Sequence, residues 1–261
     1  MPYLAKILLY PIKSFDGVEV ENARVLASGT LEFDREFAIF DERGNFVNGK
    51  RHAKIHSLRA KFALSNRTLS LQIPGSNLEQ VFHLDREKQA LVATLSDFFG
   101  FPVKLQQNSV QGFPDDTKCL GPTVISTATL TEVASWFPGV TVEQMRRRMR
   151  ANLEIGGVPA FWEDQLFSSQ SDQTVSFRIG NVSFVGVQPC QRCVVPTRDP
   201  DSGLADAQFQ KTFVKQRQVT LPDGVAISRF NHFYKLSVNT IASVSSFETM
   251  LQIGNEVAII G

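Results

Sequence analysis

Short apolar or alternating segments, separated by turn residues, run along most of the chain and predict strands more often than helices. Residues 5–10 (AKILLY) form an apolar run that Pro11 ends. Residues 18–26 alternate apolar and polar positions through Val18, Val20 and, after a slip, Val25. Residues 37–40, the turn residues Glu42-Arg43-Gly44-Asn45 and then Phe46-Val47 predict a hairpin. Residues 58–64 and 68–73 predict a second strand pair, joined by Ser65-Asn66-Arg67. Further strands are expected over 123–126, 153–155, 175–179, 182–187 and 257–260, with Gly180-Asn181 as a hairpin turn.

Leu91, Leu95, Phe98 and Phe99 recur at helical spacing, predicting a helix over 85–99 that Asp85 caps and Gly100 ends. Thr129 with Glu132 fits a capping box for a helix ending near Phe137; Thr141 with Gln144 fits another for the helix carrying EQMRRRMR. Residues 208–217 also read as helical. Gly, Pro, Asp and Asn crowd residues 108–122, which places a domain boundary there and divides the chain into 1–110 and 111–261. No alternation of strand with long helix occurs. The pattern predicts a β-rich α+β fold, barrel-like, with short helices and a smaller N-terminal unit.

Composition narrows the function classes. Of 261 residues, 43% are hydrophobic and 21 are Phe, enough to build a sizeable core. The net charge of +1 gives no overall field for nucleic acid or an anionic membrane, so any anion binding must come from local clustering of Lys and Arg. The N-terminal apolar run is too short for a signal peptide, and no stretch approaches the ~20 apolar residues of a membrane helix. A cytoplasmic protein without a membrane or nucleic-acid partner is expected. Cys119, Cys190 and Cys193 are too few for a disulfide scaffold.

The strongest local feature is QPCQRCVVPTRDPDSG, residues 188–203, which follows a predicted strand. Cys190 and Cys193 flank Arg192, a cation that favours thiolate, the form needed in a metal ligand or nucleophile. Four readings stand for this pair. A structural zinc site would want four ligands, and the four His are scattered. A thioredoxin-type pair would open a helix, which Val194-Val195-Pro196 disfavours. The other two are thiols filling a core and a single thiolate on a metal cofactor that brings its remaining ligands with it.

Basic residues form a second feature: Lys13 beside Ser14, Arg35, and the dense set Arg146, Arg147, Arg148 and Arg150 before Asn152. A solvated helix face is the ordinary role of such a run. With no acid among them they also suit a phosphorylated ligand, because guanidinium binds phosphate bidentately. In GGVPAFWEDQLF, residues 156–167, Glu163 and Asp164 are adjacent and would point apart on a strand, so turn and packing roles come first. No P-loop, G-x-S-x-G, H-E-x-x-H or dinucleotide fingerprint occurs.

Three separated motifs resemble those of the MOSC proteins, named for the molybdenum cofactor sulfurase C-terminal domain, and most closely their amidoxime-reducing branch. They are YPIKSFDGVEV (10–20), RANLEIGG (150–157) with FWED (161–164), and PCQRCVVPTRDPDSG (189–203), in the family's order. The resemblance implies an N-terminal β-barrel domain, a C-terminal MOSC domain, and a molybdenum cofactor between them. It makes Cys193 the metal ligand and catalytic residue. It also puts Lys13, Ser14, Arg35, Arg150, Asn152 and, between the cysteines, Arg192 at the cofactor. The implied activity is reduction of N-hydroxylated or N-oxygenated small molecules. Three cysteines cannot hold an iron–sulfur cluster on a four-cysteine ligand set, so electrons would come from a separate ferredoxin- or flavoprotein-type protein. The alternative is a sulfur or cofactor carrier without reductase activity; a third option is a non-catalytic anion-binding protein. Pyridoxal phosphate binding is also ascribed to the family, and no residue of this chain independently points to it. One departure lies in DDTKCLGP (115–122), where the animal amidoxime reducers are more acidic at the position of Cys119.

Overall fold

The structure, a computed structural model, describes residues 1–76 and 78–260. Its largest element is an eight-stranded sheet. The order is Val257–Ile260, Val175–Ile179, Val182–Gln191, Lys235–Ala242, Val124–Ser126, Leu153–Gly156, Tyr3–Leu9, Val18–Val20. Neighbours are antiparallel except Val124–Ser126 beside Leu153–Gly156. The first strand of the chain therefore lies inside a sheet built mostly from the second half, with Tyr3 opposite Gly156 and Ile7 opposite Leu153. Its apolar run serves two faces: Ile7 and Leu9 join the core under the sheet, while Leu8 lines a cavity.

Three cores hold the molecule together. The first packs Leu4, Ile7 and Leu9 against Phe177, Phe184 and Val238. The second lies within residues 12–103. It places the antiparallel pair Phe37–Asp41 and Val103–Gln107, the three strands Arg59–Ala63, Thr68–Gln72 and Glu79–His83, and helix α1 (Lys88–Phe99) around Phe37, Leu69, Leu71, Leu91 and Leu95. The third joins helices α2 (Thr127–Ser135), α3 (Val142–Met149) and α4 (Phe209–Val219) to the large sheet through Ile125 and Leu236. No helix among the described residues is long and apolar enough to cross a membrane.

The β-rich reading with short helices holds. The 68–72 hairpin and the Gly180-Asn181 turn form as expected, and Thr141 and Gln144 make the reciprocal capping box of α3. Several local expectations fail for identifiable reasons. Helix α1 starts at Lys88, because Asp85 is drawn away to Arg67, 2.6 Å from its Nε. Ser126, not Thr129, caps α2 and accepts the Thr129 amide at 3.0 Å; Glu132 accepts from the Trp136 indole instead. The 42–45 turn closes on Asp41, but the strand Phe37–Asp41 takes Val103–Gln107 as its ladder partner, and only Phe40 bridges Phe46. The central strand Lys235–Ala242 escapes pattern reading because Ser237, Asn239 and Thr240 interrupt it. All three are buried and hydrogen-bonded, to Arg192, Asp116 and the Pro122 carbonyl.

Candidate cofactor-binding site

A cavity of about 830 Å³ opens where the second core meets the large sheet. Lys13, Ser14, Arg35, Arg150, Asn152, Arg192 and Cys193 all line it, although the sequence separates them by up to 180 positions.

The thiol is positioned by its neighbour. Past the strand Val182–Gln191, the Arg192 amide donates to the Tyr234 carbonyl at 3.0 Å. Its guanidinium reaches the Leu236 carbonyl through Nε (3.1 Å) and Nη2 (2.6 Å) and the Met149 carbonyl through Nη1 (2.9 Å), with Ser237 Oγ alongside. Arg192 is thus a brace that ties the cysteine loop to the central strand and to the end of α3. Cys193 is half-buried, and its Sγ accepts the Val195 amide at 3.4 Å. Cys190 is also half-buried. Cys119 is buried, and burial with the Asp116 carboxylate beside it pushes its thiol up to about 11. Among the described residues no three His, Cys, Asp or Glu side chains gather to hold a metal ion, which leaves no protein-only cage such as a structural zinc site needs.

The cations differ sharply in how they are engaged. Of the arginines around α3, Arg146 pairs with Glu154 and Glu143, Arg147 with Asp201 and Asp16, and Arg148 with Asp199 and the carbonyls of Pro196 and Arg198. These three hold the fold, so the dense cluster does not act as one anion site. Arg150, among the described residues, has no side-chain hydrogen bond or ion pair. Its guanidinium carbon lies 4.1 Å from the centre of the Tyr10 ring, and that of Arg35 lies 5.3 Å from the same ring. Burial and the Arg35 charge both pull Arg150 below the usual guanidinium range, the signature of a cation short of an anion. Arg35 is balanced by Asp34, which also accepts the Tyr10 amide at 2.9 Å. Lys13 is buried and donates to the Phe113 carbonyl and to Asp115, each at 2.8 Å.

Backbone strain gathers at the same place. Ser14, Arg35 and Arg150 have φ of 74°, 51° and 53°, in the left-handed region that non-glycine residues avoid at a cost of about 1 kcal/mol or more each. Asn152, buried, accepts from the Thr123 amide and hydroxyl at 3.3 Å and Arg35 at 3.5 Å, and donates to the Leu8 carbonyl at 3.0 Å. It orients Arg35 and joins three segments. Ser14 Oγ accepts the Gly49 amide at 3.2 Å.

Arg59, His56 and Asp115, also in the wall, were given no site role by sequence. Arg59 and Arg147 both grip Asp201, Asp16 and the Pro200 carbonyl, which docks the DPDSG turn onto the second core. His56 lines the cavity with Nε2 buried and without a partner; burial and Arg150 pull it down to about 4, so it is neutral at pH 7. Asp115 lay in a stretch read as a boundary loop and as a departure from the animal amidoxime reducers, with no role given to Asp115 itself. Glu163 and Asp164, by contrast, sit outside the cavity on a buried 3₁₀ turn, Trp162–Leu166. Asp164 pairs with the fully buried Arg217, whose guanidinium lies between Phe161 (4.3 Å) and Phe230 (5.1 Å), in keeping with packing roles.

Fold and cavity together define a β-rich protein that presents a thiol and a strained cationic cluster to one enclosed space. The chain belongs to the MOSC family: residues 1–140 match the MOSC N-terminal beta barrel domain and residues 123–244 the MOSC domain. It is 24% identical to mitochondrial amidoxime reducing component 2 of Bos taurus, over 95% of this chain and 82% of that protein. It is also 24% identical to the Homo sapiens protein of the same name, over 90% and 76%. Molybdenum cofactor sulfurase 2 of Culex quinquefasciatus is 24% identical over 87% of this chain, which spans only 34% of that longer protein.

Proposed function

We propose that this chain binds molybdenum cofactor, with Cys193 as the metal ligand, and reduces N-hydroxylated or N-oxygenated small molecules. The observation that carries the cofactor reading is Arg150: a guanidinium with no counter-ion, in the same cavity as the Cys193 thiol. A phosphorylated, sulfur-bearing cofactor suits both ends of that cavity. When bound, it supplies a two-electron centre able to take oxygen from an N–O bond. The chain's own residues do the remaining work. Arg150, Arg35 and Lys13 would neutralise the phosphate, and Asn152 would hold Arg35 toward it. Arg192 would fix the loop that presents the Cys193 thiol to the metal. The division into residues 1–110 and 111–261 belongs to the same proposal, with the strand Tyr3–Leu9 crossing it to pair with Leu153–Gly156.

The relatives named amidoxime reducing component favour the reductase; the relative named sulfurase favours a sulfur or cofactor carrier that lacks it. A separate electron-donor protein is part of the first reading, as is a cytoplasmic location. The deciding experiment is molybdenum per chain, by elemental analysis, on wild type and Cys193→Ala from a host that makes the cofactor. Near one metal per chain in wild type and a large loss in the variant are expected, followed by turnover of an amidoxime with a competent donor. Equal loading in the two proteins would sink Cys193 as ligand, and loading without turnover would favour the carrier.

A further inference from the structure

Two lysines meet at one carboxylate in the wall of the cavity. Asp115 Oδ1 lies 2.8 Å from Lys13 Nζ and 3.9 Å from Lys50 Nζ, and the fields of Arg35 and Arg150 reach it. We propose that Asp115 is the specificity-determining residue of an anion subsite. Its carboxylate competes for the Lys13–Lys50 site, and a phosphate group displaces it where a monoanion does not.

The two partners of the ion pair are unequally free to move. The Lys13 side chain is only 8% exposed and also held by the Phe113 carbonyl; the Asp115 side chain is 60% exposed and has no partner but the two lysines. Asp115 can therefore turn to solvent without unpairing any other group, and Lys13 cannot follow it. The loop around it stays in place, because Asp116 accepts from Gln188 at 3.2 Å, Asn239 at 3.0 Å and the Lys118 amide at 2.9 Å. Exchange is a rotation of one side chain, not the opening of a lid.

Charge then decides which ligand wins. A carboxylate or other monoanion replaces one negative charge with another and gains little. A phosphate dianion adds a second charge and further acceptor oxygens. The unpaired Arg150 guanidinium, in the same cavity, is there to receive them. Asp115 keeps the buried Lys13 paired in the empty protein, which avoids the cost of an isolated buried charge, and it screens out weakly charged competitors.

The natural anion is the cofactor's phosphate only if the reading above holds; the subsite itself does not depend on it. The test is calorimetric titration of the full chain, prepared without cofactor, with inorganic phosphate and separately with acetate. Asp115→Asn, and Asp115→Ser as a second variant, should bind phosphate roughly tenfold more tightly than wild type, the size of one exchanged charge-assisted hydrogen bond. Both should also bind acetate, which wild type rejects. Adding Lys13→Met should abolish the gain. Phosphate affinity unchanged or weakened in the Asp115 variants, or no phosphate binding by any of the proteins, would overturn the proposal. Neither molybdenum nor Cys193 enters this titration, so its failure and the failure of the reductase reading are told apart.

Discussion

Arg150 stands over the ring of Tyr10, its guanidinium carbon 4.1 Å from the ring centre. The contact is a cation–π pair, and among the described residues no acid forms an ion pair with Arg150. A guanidinium so placed is stabilised only in part and stays available to an anion. Arg150→Ala should weaken binding of inorganic phosphate by about tenfold or more. Its thermal midpoint without phosphate should equal or exceed that of wild type, since a half-buried guanidinium without an ion-pair partner among the described residues is removed. Differential scanning fluorimetry with and without phosphate reads both. A large loss of stability with unchanged phosphate binding would make Arg150 a structural residue like Arg146, Arg147 and Arg148.

Arg192 is the reverse case, a cation whose contacts are all to its own chain. Three guanidinium nitrogens hold two carbonyls, those of Leu236 and Met149, and Lys cannot reproduce that fork. Arg192→Lys should cost about 2 kcal/mol in urea denaturation. Its metal content should fall although Cys193 is intact, because the loop that aims the thiol loses its anchor. Full metal loading in a destabilised Arg192→Lys protein would separate the brace from the site.

The buried FWED turn carries a pH signature. Glu163 is raised to about 7 by burial first and by the Asp164 charge second. The folded carboxyl binds its proton more tightly than the unfolded one, so its contribution to stability is largest at low pH. That contribution is lost as pH rises from about 4.5 through about 7. Glu163→Gln should flatten this slope, gaining up to about 3 kcal/mol on wild type between pH 5 and pH 8. Paired urea titrations across that window check it; parallel pH profiles would refute a neutral Glu163.

What was legible in the sequence depended on how locally each feature is encoded. The α3 capping box is four residues long and needs nothing from elsewhere, so Thr141 and Gln144 read true. Gly180-Asn181 is likewise self-contained. Asp85 has the right chemistry for a helix cap, but a long-range partner, Arg67, claims it. The strand Lys235–Ala242 hides because its polar side chains are satisfied by Arg192, Asp116 and the Pro122 carbonyl, none of them near in sequence. The same holds at the site. Motif order brought seven residues to one cavity, yet nothing in EQMRRRMR distinguishes Arg150 from its three neighbours. That distinction comes from Glu154, Asp16, Asp199 and Asp201, which reach three of the guanidiniums and miss the fourth. Asp115 could not be seen as a cation partner until the loop was folded over Lys13.

The place of the strand Tyr3–Leu9 has a consequence for synthesis. Its partner, Leu153–Gly156, is made about 150 residues after it, a delay on the order of ten seconds. Through that interval Ile7, Leu8 and Leu9 can pair only with Val18–Val20. Because Leu8 lies in that strand and Tyr10 and Lys13 follow it directly, the cavity wall cannot be completed until residues 153–156 have been made. A ligand of this cavity would therefore enter a chain already synthesised at least that far.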